Sequence, residues 1–77
     1  MPNEMTLLLL KTHIEHAKAS LIRKACNGIP ENFGRAEVRQ ISDFASRIIH
    51  DGARDMKERQ EASKLINEFE AWVENYH

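Results

Sequence analysis

Two histidines, His13 and His16, stand three residues apart in the stretch HIEH, with Glu15 beside them. Imidazoles at that spacing share one face of an α-helix, where such a pair can hold a transition metal. Glu15 lies about 100° round the helix from His16, so it does not complete a site. Catalytic zinc needs three protein ligands. Two surface histidines are the simpler reading, and the functional alternative is a partner contact sensitive to pH. The only cysteine, Cys26, falls near the C-terminal end of the first helical stretch. The helix dipole there disfavours a thiolate, although Arg23 and Lys24 are close by. Cys26 is therefore expected as a small buried hydrophobe. His50 beside Asp51 fits a helix end, where an imidazole meets the last carbonyls. No serine sits in a nucleophile elbow, and there is no phosphate loop or glycine-rich fingerprint. The expectation is a non-enzymatic protein with no metal and no cofactor.

The elements that carry these residues follow from composition and punctuation. The chain has 77 residues, 42% hydrophobic and 30% charged, which fits one globular domain spanning residues 1–77. A chain this short buries only about 60% of its unfolded surface, and such cores are often reinforced by oligomerisation. Eleven basic residues against twelve acidic give a net charge of −1, so there is no bulk attraction to nucleic acid or to an anionic membrane. One cysteine permits no intramolecular disulfide, and a reducing compartment is the natural setting. The N-terminal apolar run, Leu7 to Leu10, is too short for a secretion signal, and no segment has the length of a membrane span. The expected location is cytoplasmic, with no targeting segment.

Three glycines and two prolines divide the chain. CNGIP, Cys26 to Pro30, is a strong helix stop: Gly28 can turn left-handed, Ile29 can fold back, and Pro30 forbids continuation. HDGA, around Gly52, is a weaker one. Nowhere do apolar residues alternate with period two, so strands are not expected. The spacing predicts an all-α antiparallel three-helix bundle with helices at about 4–26, 35–50 and 53–76. Asn3 or Thr6 would cap the first. The apolar stripes are Leu7, Leu10, Ile14, Ala17, Leu21 and Ala25; then Val38, Ile41, Phe44, Ala45, Ile48 and Ile49; then Ala62, Leu65, Ile66, Phe69, Trp72, Val73 and Tyr76, all at steps of one, three or four. Phe33 is expected to plug one end of the core. The third helix begins with only Ala53 and Met56 to offer a core. Arg54/Glu58, Asp55/Arg59, Lys57/Glu61 and Lys64/Glu68 could support it as opposite charges four apart. Asp55 with Glu58 also reads as a capping box that would start the helix later. Either way this end reads as a solvated arm held by local pairs.

Four consecutive leucines cannot all face one core, because a helix turns by about 100° per residue. With Leu7 at zero, the first stripe falls within about 80° of arc, and Leu8, Ala19, Ile22 and Cys26 form a second row near 60–120°. Both rows together suit a helix touching two neighbours. Leu9 lands near 200°, on the far side with Met5, His13, His16, Ser20 and Arg23. Met5, Leu9, His13 and His16 are thus the expected contact face, offered to a second subunit or another protein.

Charge is uneven. From Gln60 onward Lys64 is the only lysine or arginine, against Glu61, Glu68, Glu70 and Glu74. Glu68, Glu70 and Glu74 are expected to offer an acidic surface to a basic partner, raising association rate and specificity. In the middle of the chain Arg39/Asp43 and Arg47/Asp51 form ladders that need no phosphate. The expected function is stoichiometric protein binding, as an adaptor, an inhibitor or an immunity-like protein, with a homodimer as the expected assembly. The partner is a protein of unknown identity rather than nucleic acid or membrane. The alternative is a small dimeric regulator that touches nucleic acid.

Overall fold

The computed structural model describes residues 3–28 and 34–76. Helices α1 (Asn3–Cys26), α2 (Arg35–Ile49) and α3 (Met56–Tyr76) follow in chain order. Lys24 on the last turn of α1 pairs with Glu37 on the first turn of α2, and His13 meets Phe44 near the middle of each. α2 therefore runs antiparallel to α1. Arg54, just before α3, donates to the Thr6 hydroxyl at 3.3 Å, and Lys18 lies over the Trp72 ring. α3 therefore returns parallel to α1. The product is an all-α three-helix bundle, 42 × 18 × 15 Å.

The core is one thin column. Leu10, Ile14, Ala17 and Leu21 from α1 meet Ile41, Ala45 and Ile48 from α2 and Ala62, Ile66 and Phe69 from α3. Leu7, Val38, Phe44, Ile49, Leu65, Trp72 and Val73 pack around its edge. Ala25 is exposed, because the last turn of α1 carries it beyond that column. Ile29, Pro30 and Phe33, and the side chains of Asn3 and Tyr76, lie outside the described residues. Thr6 is not the cap, since the helix already runs from Asn3.

Gly28 follows α1 with φ 73°, the left-handed turn that its position after the helix demands. Gly34 precedes α2 with φ 88°, and its carbonyl accepts the Val38 N–H at 2.9 Å. A Cβ there would lie 2.5 Å from Cδ2 of the buried Leu21, so glycine lets the chain pass directly over the core. At the other end of α2, the His50 ring Nδ1 sits 2.9 Å from the Ser46 carbonyl, as a histidine at a helix end should.

α3 starts at Met56 rather than near residue 53. Asp51 supplies the reason. Its carboxylate accepts the Ala53 N–H at 3.1 Å, and its carbonyl accepts the Arg54 N–H at 3.1 Å. Asp51 thus closes a tight turn through its side chain and its main chain, and the chain leaves that turn before the helix begins. The later start read from Asp55 and Glu58 is where the helix begins: Asp55 precedes Met56 and its carbonyl accepts the Arg59 N–H at 3.1 Å, although neither Glu58 carboxylate oxygen accepts a hydrogen bond. Nor is this segment a solvated arm. Arg54 lies 3.2 Å from Asp51, 3.9 Å from Glu58 and against Thr6, and it is largely buried. Arg59 donates to the Ile49 carbonyl at 2.8 Å instead of pairing with Asp55. Met56 and Ala53 are exposed. Of the four expected charge ladders in this helix, only Arg54/Glu58 forms among the described residues.

Candidate functional site

α1 is long and apolar on more than one side, whereas the apolar residues of α2 are confined to one face. The inward side of α1 is fixed by its neighbours. His13 and Ile14 mark the approach of α2; Leu7, Lys11 and Lys18 mark the approach of α3. In a triangle of helices the two neighbours sit close together in angle, so one continuous arc is covered. The second row lies outside that arc. Leu8 is 58% exposed and Ile22 42%, and Ala19 and Cys26 are also exposed. This corrects the expectation that this row touches a neighbouring helix, and with it the expectation of a buried Cys26.

The outer side of α1 is therefore wider than the leucine count implies. Met5 is 54% exposed and Leu9 46%, and they flank Leu8. His16 is exposed beside them. Along this outer flank Met5 and Leu8 lie at one end and Ala19, Ile22 and Cys26 at the other, with the polar Thr12 and Glu15 between them.

His13 is also exposed, at the border with α2. Its ring sits edge-on to Phe44, with centroids 5.3 Å apart and planes at 88°. The wheel angle is as expected, but α2 approaches on that side and takes it. Among the described residues no three of histidine, cysteine, aspartate and glutamate converge to hold a metal.

The acidic residues of α3 also divide. Glu70 accepts a hydrogen bond from the Ser42 hydroxyl at 2.8 Å, on the side facing α2. Glu74 follows it four residues on, along the same row. Glu68 lies about 160° round the helix from Glu70, on the edge towards α1, with Glu61. One acidic surface holding all three is not what the fold makes. Between the α1 and α3 edges a cleft of about 330 Å³ is walled by Leu7, Leu8, Lys11 and Glu58.

No protein family, curated protein or solved structure matches this chain. Function must be argued from the surface alone. Two cations that a phosphate-binding face would want are occupied inside the fold: Arg54 by Asp51, Glu58 and Thr6, and Arg59 by the Ile49 carbonyl. No described helix is long and apolar enough to cross a membrane.

Proposed function

We propose that this protein is a non-enzymatic interaction protein that works by stoichiometric contact through the outer side of α1. The observation that carries the reading is the exposure of Met5, Leu8, Leu9 and Ile22 along one side of a helix whose other side is fully engaged in the core. A single exposed leucine is ordinary, but Met5, Leu8 and Leu9 cluster within two turns, with Ile22 further along the same side, and such a patch on a monomer marks a contact surface. Methionine at one end gives such a surface adaptability. Glu70 and Glu74 form a smaller acidic row on the far side of the bundle, suited to steering a basic partner. A reducing cytoplasm suits the accessible, unbridged Cys26.

The test is a doubly charged variant, Leu8→Glu with Leu9→Glu, compared with wild type in solution mass and in the species that co-purify from the native cell. The expected result is a folded protein that has lost self-association or an equimolar bound partner. If it stays folded with the same mass and the same companions as wild type, the contact reading fails.

A further inference from the structure

We draw no further inference here: the strongest candidate, the cleft between α1 and α3 walled by Leu7, Leu8, Lys11 and Glu58, opens onto the outer side of α1 already described, its Glu58 carboxylate is shut away beside Arg54, and nothing in the structure shows what fills or covers it.

Discussion

Leu8 and Leu10 are two residues apart, on the same helix and of the same type, yet the structure assigns them opposite roles. Leu10 is completely buried among residues of all three helices, and Leu8 is 58% exposed. Truncating Leu10 to alanine removes buried methyl groups and leaves a cavity, at a cost of about 2–5 kcal/mol. A 77-residue domain has about 4–12 kcal/mol of stability in total, at typical values per residue. One kcal/mol corresponds to about 4–8 °C in Tm for a domain of this size, so Leu10→Ala should lower Tm by about 10–30 °C or prevent folding. Leu8→Ala in dilute solution should cost about 1 kcal/mol or less, since the side chain lies mostly in solvent at the rim of the cleft it shares with Leu7, Lys11 and Glu58. Thermal and urea unfolding followed by circular dichroism, at a concentration low enough to hold the chain as a monomer, makes the comparison. Equal losses for the two variants in dilute solution would refute the orientation of α1 and everything built on it.

Gly34→Ala should destabilise by about 1–3 kcal/mol in the same unfolding assay, through the left-handed backbone and the close approach to Leu21. Arg54→Ala should cost about 1–3 kcal/mol by freeing Asp51, Glu58 and Thr6 together, while Glu58→Gln should change stability by less than about 1 kcal/mol, because its carboxylate accepts no hydrogen bond. Similar losses for both would mean that Glu58 contributes more than its geometry allows. Labelled duplex DNA should show no change in anisotropy with this protein at low salt; a complex whose affinity falls steeply with salt would instead favour a nucleic-acid regulator.

The fold was legible because helix periodicity is a local signal. Leu10, Ile14, Leu21, Ile41, Ile48, Ile66 and Phe69 announce their burial by spacing alone, and the glycine after Cys26 announces the turn. For the start of α3 the sequence offered two places, and the later one, after Asp55, is the one adopted; the turn that Asp51 closes before it was not legible, because propensity does not register a side chain competing for the backbone. The depth of Arg54 was hidden for a related reason: its partners include Thr6, 48 residues away, and no local pattern encodes that contact. The candidate face was only half legible. The wheel sets Met5, Leu9, His13 and His16 away from the core, and all four are exposed, but which flank of α1 each neighbour covers depends on how the three helices close. That closure takes His13 into contact with Phe44 and leaves Leu8, Ala19, Ile22 and Cys26 outside.

The orientation of α1 carries the whole account, and methyl accessibility reads it most directly. A soluble paramagnetic agent added to the dilute protein should broaden the methyl resonances of Met5, Leu8, Leu9 and Ile22 and leave those of Leu10, Ile14 and Leu21 sharp. Equal broadening of Leu8 and Leu10 would contradict it.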